Sequence, residues 1–171
     1  METITAPQTN NTTIAPQKEH QWLQQLVGKW TYETDVTAEE QHSDKATGIE
    51  IVRSLGDFWI IAEAEGGMPC QEGTATTMMT LGYDLQKQQF VGTWVGSIMT
   101  YIWPYEGELN VEQNVLTLNS EGPDMTIEGK TTKYRDIIQL QGSDLRVMTS
   151  YVLGDDDQWQ EFMSVRYRRQ R

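Results

Sequence analysis

The sequence predicts an all-β protein: a single antiparallel β-barrel of about 8–10 strands with a short N-terminal helix. Three observations predict it. A segment with apolar residues at helical spacing runs into Gly28-Lys29-Trp30. From there the apolar period becomes two and stays so almost to the last residue. The connections are short and rich in Gly, Asp, Asn and Pro, as at Gly142-Ser143-Asp144 and Gly154-Asp155-Asp156-Asp157. Strands joined by short turns are antiparallel neighbours, and a long meander exposes two edges unless it closes on itself. A two-sheet sandwich with Greek-key crossovers is the rival, but no connection is long enough to cross a sheet.

Residues 1–17 are rich in Thr, Gln, Asn and Pro, with Ile4 and Ile14 the only sizeable apolar side chains. Such a segment cannot bury enough surface to offset its ordering entropy, so it reads as a disordered tail, with the barrel domain at 18–171. Trp22, Leu23, Leu26 and Val27 recur at helical spacing, which predicts a helix over Lys18–Val27 and a left-handed cap at Gly28. A helix this short needs packing to hold it, which suits a lid on one barrel end.

Alternation then places Trp30, Tyr32, Thr34 and Val36 on one face of a first strand. Ile49, Ile51 and Arg53 alternate with Glu50, Val52 and Ser54 in a second; Phe58, Ile60, Ala62 and Ala64 alternate with Trp59, Ile61, Glu63 and Glu65 in a third. Gly73–Asp84 and Gln88–Gly96 form the fourth and fifth, the latter with Phe90, Gly92 and Trp94 on one side. Met99, Tyr101, Trp103 and Tyr105 carry the sixth. Val115–Asn119, Thr131–Leu140, Leu145–Leu153 and Trp159–Arg168 complete the set.

The 171 residues suit one domain with a real core. With 25 acidic against 13 basic side chains the formal net charge is −12, which repels phosphate backbones and anionic lipid. The one basic cluster, Arg166, Arg168, Arg169 and Arg171, is split across two strand faces, so no nucleic-acid partner is expected. The charge fits solubility or a cationic partner. A single cysteine, Cys70, excludes an intramolecular disulfide framework. No apolar run reaches the ~18 residues of a membrane span. The N-terminus has neither a basic nor an apolar signal region, so a cytoplasmic protein is expected. Homo-oligomerisation stays open.

Leu23-x-x-Leu26-x-Gly28-x-Trp30 resembles the opening of lipocalin and calycin-like barrels. Gly82-Tyr83-Asp84 followed by Phe90-Val91-Gly92-Thr93-Trp94 resembles the middle of a bacterial calycin-like family described as a domain of unknown function, DUF1579. Met163-x-Val165-x-Tyr167-x-Arg169 is similar to that family's last strand. The resemblance covers roughly residues 18–169 and implies a barrel with a ligand cavity, but no activity. By the same resemblance, Trp30 is expected to lie under a basic side chain of the last strand, Arg166 or Arg168, closing one barrel end.

No residue pattern marks a catalytic group, metal site or cofactor. His20 and His42 have no Cys, Asp or Glu at metal-ligand spacing, and no histidine follows His42 to hold a haem. Ser97, Ser150 and Ser164 lack evident triad partners. Glu63 and Glu65 read as a solvated strand face and Asp155–Asp157 as a turn. What remains is the aromatic and thioether content, six Trp and eight Met. Trp94, Met99, Tyr101 and Trp103, with Met148 and Met163 as adaptable walls, are the candidate lining of an apolar pocket. Arg53 and Arg146 are candidates for meeting a ligand carboxylate.

Three functions fit: binding of a small, mainly apolar ligand; an enzyme using Glu63 or Asp84 as a buried acid or base; and a solid-core interaction protein. The interior discriminates them. A cavity above about 300 Å³ with few charges favours binding, one with a perturbed carboxylate favours catalysis, and a filled core favours the third.

Overall fold

The computed structural model describes residues 14–36, 45–68 and 71–171. His42 and Cys70, and with them the readings attached to those two side chains, lie outside the described residues, as do residues 1–13 of the expected tail. One helix, α1 (Lys18–Gln24), precedes ten strands: β1 (Gly28–Val36), β2 (Ala46–Leu55), β3 (Trp59–Met68), β4 (Gln71–Asp84), β5 (Gln89–Gly96), β6 (Trp103–Asn110), β7 (Val115–Pro123), β8 (Thr131–Leu140), β9 (Leu145–Leu153) and β10 (Trp159–Gln170). All pairings are antiparallel between chain neighbours, and β1 pairs β10 to close the barrel, with Trp30 opposite Arg169 and Tyr32 opposite Tyr167. The expected closed meander is the observed fold, with no Greek-key crossover.

Two local expectations need correction. The helix stops at Gln24, and Leu26 and Val27 continue as tight turns whose amides donate to Leu23 and Gln24. Gly28 therefore opens β1 rather than capping the helix. Its φ of +142° favours glycine, and a Cβ there would overlap the Arg169 guanidinium. The sixth strand begins at Trp103, because Ser97–Met99 turns away from β5: the Ser97 amide donates to Thr76 O and the Met99 amide to Gly96 O.

The helix plugs the barrel end at which β1 starts and β10 finishes. Trp22, Leu23 and Leu26 are buried there against Phe90, Leu81, Ile60, Leu116 and Leu140. Trp22 Nε1 donates to Asn114 Oδ1 in the β6–β7 turn at 2.7 Å. Buried His20 accepts the Gln17 amide at Nδ1 and donates from Nε2 to Tyr83 O, a neutral tautomer that ties the first helical turn to β4.

Trp30 is fully buried at the closing seam and donates from Nε1 to Leu26 O at 2.9 Å. An arginine of the last strand does cover it, but it is Arg169, 4.1 Å from the ring centroid, not Arg166 or Arg168. Strand parity explains the difference: Val165, Tyr167 and Arg169 share one face, while Arg166 and Arg168 project to solvent. Arg169 also donates to Val27 O at 2.6 Å, Gln25 O at 2.7 Å and Ser143 O at 2.7 Å.

Because the barrel cannot collapse into a hole at its seam, Trp30→Ala is expected to lower stability by ~3–5 kcal/mol. Urea unfolding checks this, and a loss below about 1 kcal/mol would remove Trp30 from the closing end.

Candidate functional site

Above the aliphatic plug the interior opens into a cavity of about 230 Å³. It is smaller than the ~300 Å³ used above as a mark of a binding site. The change follows each strand from the helix end upward. Leu81 gives way to Met79 and Thr77 on β4, Phe90 to Trp94 on β5, and Leu118 to Ser120 on β7. On β8, Leu140 and Ile138 give way to Asp136 and Tyr134. A ten-strand barrel is wide, and the small Ala62 and Ala64 on β3 leave space that the aromatic rings do not fill.

Of the expected ligand-binding residues, Trp94, Met99, Trp103 and Met148 line this cavity, as does Met163. Tyr101 does not. It lies in the β5–β6 connection, 38% exposed, with its ring edge-on to Trp103 at 5.1 Å and its hydroxyl donating to Glu121 O. Met99 is in the same connection and its Sδ accepts the Trp103 Nε1 proton at 3.1 Å, so the indole N–H is already engaged. Glycine shapes the wall here. A Cβ at Gly122 would overlap the Trp103 ring, so the bare β7 backbone is what lets the indole lie against it.

Sequence reasoning missed Phe162. The β9–β10 register shifts between Glu161 and Met163, a bulge that lets both Phe162 and Met163 reach the cavity despite being neighbours. It also missed the interior polar groups. Asp136 accepts hydrogen bonds from Tyr105 Oη at Oδ2 and from Ser150 Oγ at Oδ1, the latter at 2.5 Å. Burial raises the Asp136 carboxyl above its ordinary range, opposed by these two donors, and pushes the Tyr105 phenol well up.

Glu50 also faces inward, from β2, and pairs with buried Arg146. The Arg146 guanidinium lies 3.9 Å from the Tyr167 centroid and 4.8 Å from that of Trp30. Glu50 lines the cavity and Arg146 does not. Arg146 is thus held by protein groups, and Arg53 is an exposed strand residue paired with Glu63. Neither presents itself to a cavity ligand.

The carboxylates named for acid–base work lie elsewhere. Glu63 is on the outer face of β3, where it meets Arg53. Asp84 accepts the Gln86 and Lys87 amides and so caps the β4–β5 turn. Among the described residues, the carboxyl groups that line the cavity are Glu50 and Asp136. Ser150 has the acidic neighbour that the sequence did not reveal, but the described histidine, His20, is engaged at the helix end.

A closed antiparallel barrel with one helix as its floor and an aromatic-lined cavity above defines a calycin-like protein. The chain belongs to DUF1579, a family described as protein of unknown function, whose model matches residues 15–169. No curated protein sequence is significantly similar to it. Among solved structures it is similar to the S-type phycobiliprotein lyase CPES from Guillardia theta, at 13% identity and a TM-score of 0.56, over 91% of this chain and 99% of that one. A redesigned β-barrel (9% identity, TM-score 0.46, 87% and 95% covered) and EF1p2_mFAP2b bound to DFHBI (9%, 0.49, 89% and 99%) are also similar. At these identities the likeness is one of fold.

The buried Asp136 makes a pH prediction. Its folded pKa is raised, so its ionised form opposes folding above that value, and the penalty disappears as pH falls through it towards the ordinary value of 3.8. The stability difference between Asp136→Asn and the parent, read from urea midpoints, should therefore shift in the parent's favour as pH is lowered from 7 towards 4. Asp124 titrates in a separate window, because hydrogen bonds led by those from Thr126 lower it to about 2. A difference independent of pH would show that Asp136 is not held in a perturbed state.

Proposed function

We propose that this protein binds a small, mainly apolar ligand inside the barrel. The observation that carries the proposal is the cavity itself: aromatic and thioether side chains from successive strands surround open space above a sealed floor. Trp94 and Trp103 give apolar walls, Met79, Met99, Met148 and Met163 adaptable ones, and Tyr105, Asp136 and Ser150 form a hydrogen-bonded polar group across β6, β8 and β9. The volume suits a compact ligand. The similar fold of a phycobiliprotein lyase is compatible with this reading but supplies no ligand.

Asp136 supports a second reading, an acid–base role for a buried carboxyl inside the same barrel, in place of Glu63 or Asp84. Native mass spectrometry of protein purified from its host separates the two. A copurifying compound that stays unchanged on incubation fits a binding protein, and its conversion fits an enzyme.

Binding of the neutral fluorophore N-phenyl-1-naphthylamine should be saturable, and Trp94→Ala should weaken it about tenfold, since a buried aromatic wall contributes ~1–3 kcal/mol. The far-UV spectrum should be unchanged. Wild-type affinity in the variant would mean that the probe sits elsewhere, and no binding by either protein would favour the solid-core reading.

A further inference from the structure

The cavity has a charge pattern that its apolar walls conceal. Among the described residues that line it, the carboxylic acids are Glu50 and Asp136, and no Lys, Arg or His takes part. Glu50 has its cation in Arg146, which lies outside the lining. No ion pair of Asp136 occurs among the described residues; its partners are the hydroxyls of Tyr105 and Ser150. Glu50 and Arg146 cancel, so a charge on Asp136 meets no cation among the described residues.

The hydrogen-bond directions sharpen this. When both hydroxyls donate to Asp136, Tyr105 and Ser150 have spent their protons, and the lone pairs left on the two oxygens are acceptors. The cluster therefore offers acceptors and lacks a cation. An anionic head such as a carboxylate would meet carboxyl groups here, while Arg146 lies outside the lining, paired with Glu50 and stacked on two aromatic rings, its buried Nε without a hydrogen-bond partner among the described residues. The aromatic faces of Trp94, Trp103 and Tyr134 tolerate a cation beside them. The net charge of −12 attracts cations to the barrel as a whole.

Resting on the proposed binding function, we infer that the cavity selects ligands carrying a protonated primary or secondary amine on a compact apolar body, with Asp136 as counter-ion and the Tyr105 and Ser150 oxygens as further acceptors. The amine brings the positive charge that the fold withholds from Asp136, and its N–H groups match the acceptors. The apolar body lies against Trp94, Trp103 and the methionines.

Calorimetric titration of the full chain at pH 7.5 with octylamine, octanol, octanoate and octyltrimethylammonium tests this. Octylamine should bind at least tenfold more tightly than octanoate, and more tightly than octyltrimethylammonium, which has the charge but no N–H. Asp136→Asn, checked for folding by far-UV circular dichroism, should bring the octylamine-to-octanol affinity ratio to about one. If that variant does not fold, Tyr105→Phe should lower the same ratio severalfold. Equal or tighter binding of octanoate would overturn the inference. So would an amine preference that survives the substitution, since general attraction to an acidic surface depends on no single carboxylate. Tight octanol binding without an amine preference sinks this inference and leaves the cavity as a binding site. Failure of every octyl compound and of N-phenyl-1-naphthylamine sinks both.

Discussion

The structure depends on the seam between β1 and β10, where the Arg169 guanidinium is held by the turn that follows the helix, a distant turn and an indole at once. Three carbonyls take its N–H groups and Trp30 takes its face. A guanidinium suits this place because its planar fork reaches several carbonyls while its flat side stacks. The contact joins first strand to last and fixes the helix that forms the floor. Without closure the interior has no walls, and without the floor the aliphatic layer below the cavity opens to water.

Above that seam the interior is graded rather than uniform. The helix end is packed with Leu, Ile, Phe and Trp, as a core must be to exclude water. The Glu50–Arg146 pair marks the boundary, roofing the Trp30 layer on one side and touching the cavity on the other. A buried ion pair is a poor source of stability, but removing either partner leaves the other uncompensated. Its position suits it to fixing the cavity floor.

The sequence was most informative where alternation was clean. Thr131–Leu140 and Leu145–Leu153 are strands with the expected bounds, and Trp94 and Trp103 face inward as their parity requires. The polar half of the site was harder to read because its residues hide in apolar company. Asp136 has the parity of Ile138 and Leu140, and Ser150 that of Met148, which is the signal that was available. In β2 the order is inverted: Ile49 and Ile51 are exposed while Glu50 faces inward, so hydrophobicity alone points the wrong way. Phe162 needed knowledge of a bulge, and Tyr101 of where a turn ends. The arginine over Trp30 was legible as a residue type from the family resemblance, but its position rests on the β1–β10 register.

The seam also sets the order in which the molecule can be made. Every pairing but one joins strands adjacent in the chain and can zip as a hairpin with little loss of loop entropy. The exception brings together residues such as Val27 and Arg169, 142 positions apart, and is rewarded only once both ends have formed. Until then β1 and β10 each have one unpaired edge that a neighbouring copy of the chain can capture. The net charge of −12 also repels such copies and so disfavours their capture of the open ribbon before it closes.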